Sequence, residues 1–129
     1  MRLLLDTHIW LWHAHGSKRL GHRLRRELAN PRNELWLSPV SVWECLALNA
    51  KGRIRIEGSL SAWVPRATAP FREAPLTHEI VLAAFHLPTA HPDPADRFLA
   101  ATAEVLDLTL ATADANLLGL GTIKTLGNR

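Results

Sequence analysis

The chain has 129 residues, 47% of them hydrophobic, which is enough for one domain, residues 1–129, with a buried core. Its 15 Lys and Arg against 12 Asp and Glu give a net charge of +3, which permits contact with a polyanion without requiring it. The single cysteine excludes an internal disulfide and a cysteine-based zinc site, and no apolar run suits a signal peptide or a membrane span, so we expect a cytoplasmic protein without membrane contact.

The first predicted element is a buried strand over residues 2–5 that ends at a carboxylate, Asp6. In open α/β sheets, ligands bind just outside the carboxyl ends of the strands, so Asp6 occupies a candidate site. Asp6 also suits the N-cap of a short helix over residues 7–15. A second, amphipathic helix is predicted over residues 17–29, and its arginine stripe consists of Arg19, Arg23 and Arg26.

The middle of the chain alternates between short strands and helices. After a strand over residues 34–37, Ser38 and Pro39 predict the start of a helix that Gly52 ends. The other predicted elements of this region are a helix over residues 59–66, a weak strand over 71–74 and a helix over 77–85.

The last third begins with strong helix-start signals, because Asp93 suits an N-cap and Pro94 the first position of a helix that runs to Leu106. A buried strand over residues 109–112, a turn with a short helical piece and a last strand over 122–126 follow. Strands that alternate with helices predict an α/β fold with a mainly parallel sheet.

Glu44 is the least expected residue of its helix, because it shares a face with apolar residues. The apolar residues on that face, which helical spacing predicts to be buried, are Val40, Trp43 and Ala47. We therefore predict core packing for Trp43, as for Trp10. A buried carboxylate needs a partner, and an ion pair with an arginine is the structural explanation.

Further acids occupy comparable positions. Asp93 and Asp96 fall at the start of one helix, where carboxylates interact favourably with free N–H groups and the helix dipole. Capping needs only one side chain, so one of the two acids is available for another role. Asp114 follows a buried strand as Asp6 does. If those strands are parallel neighbours, the acids meet at one edge of the sheet together with Glu44, because helices that follow strands begin there.

Carboxylates within a few ångströms of one another repel, which raises their pKa values unless a cation intervenes. An all-oxygen cluster suits Mg²⁺ or Mn²⁺ better than zinc. Such an ion lowers the pKa of a bound water, aligns it with phosphorus and neutralises charge on a phosphate. The acids therefore indicate phosphoryl transfer or phosphodiester hydrolysis.

Four motifs resemble, in order, the acidic motifs of PIN-domain ribonucleases, specifically the VapC-type toxins of bacterial type II toxin–antitoxin pairs. They are LLLDTHIWLW, SPVSVWE, LPTAHPDPADRFLAATA and LTLATAD, and the resemblance extends from Leu3 to about Leu126. It implies a PIN-like three-layer α/β/α sandwich around a short, mainly parallel sheet. It also implies an endoribonuclease that hydrolyses RNA with a water activated by Mg²⁺ or Mn²⁺.

The resemblance further implies roles for individual residues. The acidic metal site consists of Asp6, Glu44, Asp96 and Asp114, with Asp93 in support. Hydroxyl groups beside the motifs, which could orient a carboxylate or a metal-bound water, belong to Thr7, Ser41 and Thr112. Members of the family generally form homodimers and are inhibited by a small VapB-type antitoxin, so we expect both partners beside the RNA substrate.

A cleft lined by acids needs basic groups at its rim to hold a polyanion. The candidate RNA contacts are Arg97, Arg19, Arg23 and Arg26. Arg97 is the first choice, because it stands next to Asp96.

Two alternatives use the same acids without a nuclease. In the first, a non-catalytic binding module receives a basic peptide from a partner protein in the acidic pocket. In the second, a phosphoacceptor domain of the receiver type gathers acids around Mg²⁺ and uses Lys124 on a late strand. Metal-dependent turnover identifies the nuclease, and phosphorylation by a small phosphodonor identifies the receiver.

Overall fold

The computed structural model describes residues 1–88 and 93–129, so part of the third motif, between Pro88 and Asp93, lies outside the described residues. The strands are β1 (Arg2–Leu5), β2 (Glu34–Leu37), β3 (Arg72–Glu73), β4 (Thr109–Thr112) and β5 (Lys124–Gly127). The helices are α1 (Thr7–Ala14), α2 (His22–Ala29), α3 (Pro39–Ala50), α4 (Leu60–Thr68), α5 (His78–His86), α6 (Pro94–Leu106) and α7 (Ala115–Leu118). Each element that the sequence predicts is present.

The five strands form one parallel sheet with the order β3-β2-β1-β4-β5. The central strand β1 pairs with β2 on one side and with β4 on the other, where Leu5 lies opposite Ala111. The strands that precede Asp6 and Asp114 are therefore parallel neighbours at the middle of the sheet, which is the condition under which the sequence places both acids at one edge.

Helices cover both faces of the sheet, and the side chains of β1 point alternately into the apolar cluster on each face. Leu3 and Leu5 join a cluster with side chains of α1, α2 and α3, whereas Leu4 joins a cluster with side chains of α5 and α6. All three leucines are fully buried. The predicted three-layer α/β/α sandwich is thereby confirmed. No helix in the described part of the chain is both long and apolar enough to span a membrane.

Helix α2 begins later than predicted, at His22 instead of Ser17. Residues 17–20 form a turn in which the Ser17 hydroxyl accepts the backbone N–H of Arg19 at 3.1 Å. Gly21 is the N-cap, and a Cβ at this position would lie 2.0 Å from the carbonyl carbon of Arg129. The start of α2 is thus set by a segment distant in sequence.

Helix α3 buries a different face from the predicted one. Ser41 and Cys45 are its buried residues, whereas Trp43 is 72% exposed and Glu44 is half-buried. Core packing of Trp43 is therefore a wrong prediction, although Trp10 is in the core at 1% exposed. Apolar residues occur on every side of α3, so periodicity does not identify the side that faces the sheet.

Candidate acidic site at the carboxyl edge of the sheet

Asp6 lies between β1 and α1, and its side chain is 7% exposed. Its Oδ1 accepts the backbone N–H of Thr7 at 2.7 Å, which makes Asp6 the N-cap of α1, as predicted. Its Oδ2 accepts the hydroxyl of Thr112, also at 2.7 Å, from the end of β4. Burial raises the pKa of Asp6 in spite of these hydrogen bonds, and the carboxylate of Asp114 acts in the same direction.

Glu44 reaches the same edge from α3. The hydroxyl of Thr7 donates to its Oε1, and the same hydroxyl oxygen lies 3.0 Å from Oγ of Ser41. Burial raises the pKa of Glu44, and the nearby carboxylates of Asp93 and Asp6 raise it further. Within residues 1–88 and 93–129 Glu44 forms no ion pair, so the alternative explanation by an arginine partner finds no support there.

Asp114 lies just beyond β4 and begins α7. Its Oδ1 accepts the backbone N–H groups of Asn116 at 2.7 Å and of Leu117 at 3.3 Å. Its own backbone N–H donates to the hydroxyl of Thr112 at 3.0 Å. Thr112 therefore links two acids, since its hydroxyl also donates to Asp6.

Asp93 and Asp96 come to this edge on the first turn of α6. Asp93 is the N-cap, and its Oδ1 accepts the backbone N–H of Ala95 at 3.0 Å, as the sequence predicts. Asp96 is half-buried in the same turn. Glu44 and Asp93 line one cavity, which places the start of α6 beside α3. The structure thus brings the predicted acids to one end of the sheet.

The buried acids lack a cationic partner in the described chain. Asp6 and Glu44 form no ion pair there, and the exposed imidazole of His8 lowers the pKa of each to a smaller extent than burial raises it. Among the described residues, no group of three His, Cys, Asp or Glu side chains is arranged to hold a metal ion as it stands. The donor set nevertheless fits a hard divalent cation, because carboxylate oxygens are the ligands that Mg²⁺ and Mn²⁺ prefer.

The four candidate arginines occupy different settings. One guanidinium nitrogen of Arg97 donates to the carbonyls that end α5, at 2.8 Å to Ala84, 3.1 Å to Phe85 and 3.4 Å to Leu87. Arg97 therefore joins α6 to α5, and its contact with RNA stays a prediction. The other three are exposed on α2 or the turn before it: Arg19, Arg23 and Arg26.

Lys124 does not lie near the acids. It starts β5, at the amino edge of the sheet, and its ammonium group pairs with Asp107 at 2.8 Å. In a parallel sheet the starts and ends of the strands lie at opposite edges, so Lys124 lies at the wrong edge for the part that the receiver-type alternative gives it.

Two features beside the acids carry no signal in the sequence. The exposed ring of Trp43 borders a cavity of about 540 Å³ that Glu44 and Asp93 also line. On the other side, the backbone N–H of Asn128 donates to the carbonyl of Thr112 at 3.1 Å and connects the segment after β5 to the site. Both depend on tertiary contacts between residues that are distant in sequence.

Comparison with known proteins identifies similarity over nearly the whole chain. The family model of the PIN domain matches residues 3–121. A comparison with curated protein sequences finds no match.

Solved structures share the fold at low sequence identity. VapBC2 from Rickettsia felis, bound to a promoter DNA fragment, has a TM-score of 0.75 and 13% identity over 98% of this chain and 98% of its own. A toxin-antitoxin complex from Klebsiella pneumoniae has a TM-score of 0.69 and 17% identity over 98% of each chain. Mycobacterium tuberculosis VapC20, described as a sarcin-ricin loop cleaving toxin, has a TM-score of 0.66 and 18% identity over 95% of this chain and 97% of its own.

Proposed function

This chain belongs to the PIN domain family, and from that premise we propose that residues 1–129 form one metal-dependent endoribonuclease domain, the VapC-type toxin of a type II toxin–antitoxin pair in the cytoplasm. The observation that carries the proposal is the set of carboxylates at the carboxyl edge of the sheet, of which Asp6 and Glu44 are buried or half-buried without an ion-pair partner in the described chain. A structural neighbour described as a sarcin-ricin loop cleaving toxin supports the same chemistry.

The residues that would hold Mg²⁺ or Mn²⁺ are Asp6, Glu44, Asp96 and Asp114. A divalent ion bound there supplies a lower pKa for water and charge neutralisation at the RNA phosphate. The chain itself orients the acids through neutral donors. The hydroxyl of Thr112 fixes one oxygen of Asp6, and the hydroxyl of Thr7, beside Ser41, fixes one oxygen of Glu44. Neutral donors hold the carboxylates in place without neutralising them, so their negative charge remains available to a cation.

The first test is cleavage of mixed cellular RNA by the antitoxin-free protein in Mg²⁺, in Mn²⁺ and in EDTA. We expect cleavage with either metal, none in EDTA, and none from folded Asp6→Asn or Asp96→Asn. Cutting that persists in EDTA, or that survives in both variants, would contradict the proposed site.

The proposed protein partner is a VapB-type antitoxin, and the proposed assembly is a homodimer. The toxin-antitoxin complex among the structural neighbours supports the antitoxin. Exposed apolar side chains on α5, of which Phe85 is 77% and Leu82 59% exposed, support the homodimer, since monomers rarely expose such groups together. Light scattering coupled to gel filtration tests it, with Phe85→Asp expected to give a monomer. A wild-type monomer at micromolar concentration would contradict it.

A second candidate function is a binding module whose acidic pocket receives a basic peptide without cleaving RNA. The buried Asp6 and half-buried Glu44, which form no ion pair in the described chain, would also accept the cationic side chains of such a peptide. Peptide binding does not separate the two functions, because a nuclease inhibited by a peptide binds one too. Metal-dependent RNA turnover does, and a folded wild-type protein that cuts no RNA with any metal would favour the binding module.

A further inference from the structure

A second cavity, which is polar and has a volume of about 660 Å³, opens beside the acidic site on the side of β5. Its walls come from α2, from the ends of β4 and β5, and from the segment after β5. Ala113 is one of its lining residues, and it stands between Thr112, which donates to Asp6, and Asp114. The cavity and the acidic site thus share one stretch of backbone.

The charged side chains of this cavity are positive. Arg23 and Arg129 line it, and none of its lining side chains in the described chain is acidic, while the terminal oxygen of Arg129 accepts the backbone N–H of Leu24 at 3.0 Å. Neither guanidinium forms an ion pair or a hydrogen bond with the described residues. Other arginines do: Arg25, for example, donates to the carbonyls of Ser17 at 3.0 Å and Leu20 at 3.2 Å. Two arginines without internal partners, facing one cavity, suit an anionic ligand with the geometry of a phosphate.

Asn128 fixes the backbone segments that carry the two arginines relative to the acids. Its side-chain oxygen accepts the backbone N–H of Gly21 at 2.7 Å, and its amide nitrogen donates to the carbonyl of Arg19 at 2.8 Å. Its backbone N–H donates to the carbonyl of Thr112. Asn128 therefore ties the start of α2 to the end of β4, so the cavity is organised before a ligand arrives.

We propose that this cavity is a phosphate-binding subsite for the RNA strand, in which Arg23 and Arg129 hold a backbone phosphate next to the one at the acids. The inference rests on the proposed nuclease function, and it gives the strand a direction across the molecule, from the acids over Ala113 toward α2. The rival occupant is an acidic peptide of a partner protein. RNA is the better match, because its phosphates serve both the basic cavity and a cation at the adjoining acids.

The test measures binding of a fluorescein-labelled 12-nucleotide single-stranded RNA of mixed sequence by anisotropy. The full chain is used in EDTA, which stops metal-dependent cleavage, at several salt concentrations. We expect Arg23→Ala and Arg129→Ala each to weaken binding about 10-fold, the scale of one hydrogen bond to a charged group. Each lost phosphate contact should also reduce the slope of log affinity against log salt by about 0.7.

Arg32→Ala is the matched control, because Arg32 is exposed in the turn that leads into the amino end of β2, away from the acids. It should leave both the affinity and the slope unchanged. Arg23→Lys keeps the charge and should restore most of the slope. A purely structural role of Arg23 predicts instead that Lys fails as Ala does and that the melting temperature falls in both.

The outcomes separate this inference from the nuclease itself. If wild type cleaves RNA with metal but Arg23→Ala and Arg129→Ala bind RNA as Arg32→Ala does, the nuclease stands and the subsite is overturned. If wild type cleaves nothing but the two variants still lose RNA affinity, the nuclease fails and the subsite is supported. Absence of RNA binding by wild type, or loss of protein-partner binding alone in the variants, overturns the subsite.

Discussion

The amino and carboxyl edges of the sheet hold acids in opposite electrostatic settings. At the amino edge, Glu34 lies 3.4 Å from Arg2 and 3.7 Å from Arg72, and Asp107 lies 2.8 Å from Lys124. A hydrogen bond from Trp36 and the two arginines lower the pKa of Glu34, and Lys124 lowers the pKa of Asp107. At the carboxyl edge, burial raises the pKa values of Asp6 and Glu44.

Glu34 and Asp107 have cationic partners, whereas Asp6 and Glu44 form no ion pair in the described chain. Exposed, paired carboxylates at the amino edge contribute little to stability but cost little to ionise. A buried carboxylate with neutral hydrogen-bond donors resists ionisation, and acids of this kind cluster at functional sites. The carboxyl edge is therefore the place where stability and activity should oppose each other.

The largest effect is expected from Asp6→Asn, compared with Glu34→Gln at the other edge. Both changes replace a carboxylate by an amide of nearly the same shape. Loss of outer partners of a metal ligand lowers activity about 10- to 100-fold, so loss of the ligand Asp6 itself should lower RNA cleavage by more than ~100-fold. Glu34→Gln should leave cleavage unchanged.

The same pair should differ in stability in the opposite sense. Asp6→Asn removes an unfavourable buried charge and should raise the melting temperature of the metal-free protein by about 2 °C or more. Glu34→Gln should not raise it. Equal losses of activity in both variants, or a lower melting temperature in Asp6→Asn, would remove the distinction between the two edges.

The next effect concerns the hydroxyl that joins two acids. Thr112→Val deletes the donor to Asp6 and the acceptor for the N–H of Asp114, so cleavage should fall about 10- to 100-fold as for other outer partners of a metal ligand. Thr109→Val, on the same strand at the amino edge, is the control and should keep full activity. Thr112→Ser should restore most of the loss, and its failure to do so would indicate a packing role for the methyl group.

A smaller effect is the dependence of stability on pH in the absence of metal. The pKa values of Asp6 and Glu44 lie above their ordinary 3.8 and 4.5. At pH values between the ordinary and the raised pKa, the folded chain therefore binds more protons than the unfolded chain. The free energy of unfolding contributed by these acids therefore falls as the pH rises, and the loss is complete above the raised values. The lowered pKa values of Glu34 and Asp107 act oppositely, since their contribution is present above the ordinary pKa and lost as the pH falls.

Melting temperatures of wild type, Asp6→Asn and Glu34→Gln between about pH 3 and pH 8 test this sign. The advantage of Asp6→Asn over wild type should grow with pH and then level off. Excess Mg²⁺ should reduce that advantage, because it favours the ionised acid of wild type. An advantage that is constant across the range would show that ionisation of Asp6 plays no part.

The smallest effect concerns the reactivity of Cys45, the residue that follows Glu44 on α3. Cys45 is fully buried, and burial raises its pKa to about 11. A thiol reagent should therefore label the native protein only at the rate of unfolding, and saturating Mg²⁺ should slow the labelling further. Fast labelling of the native chain at neutral pH, followed by mass spectrometry, would contradict the packing of α3.

The sequence by itself determined the local structure of this protein. Asp6, Ser38, Thr77 and Asp93 each cap a helix by hydrogen bonds to residues at most three positions away. Apolar strands that alternate with these helices are sufficient to predict a parallel sheet. The four motifs, taken in order, were enough to predict which acids lie together at one edge of the sheet.

Only the tertiary structure decided what each of these side chains contacts. Thr112 reaches Asp6 across 106 residues of sequence, the hydroxyl of Thr7 donates to Glu44, and Arg97 donates to the carbonyl of Ala84 near the end of α5. The exposure of Trp43 and the late start of α2 also depend on distant segments. Such contacts follow from the register of neighbouring strands and the side on which each helix packs, and neither is encoded in the residues adjacent in sequence.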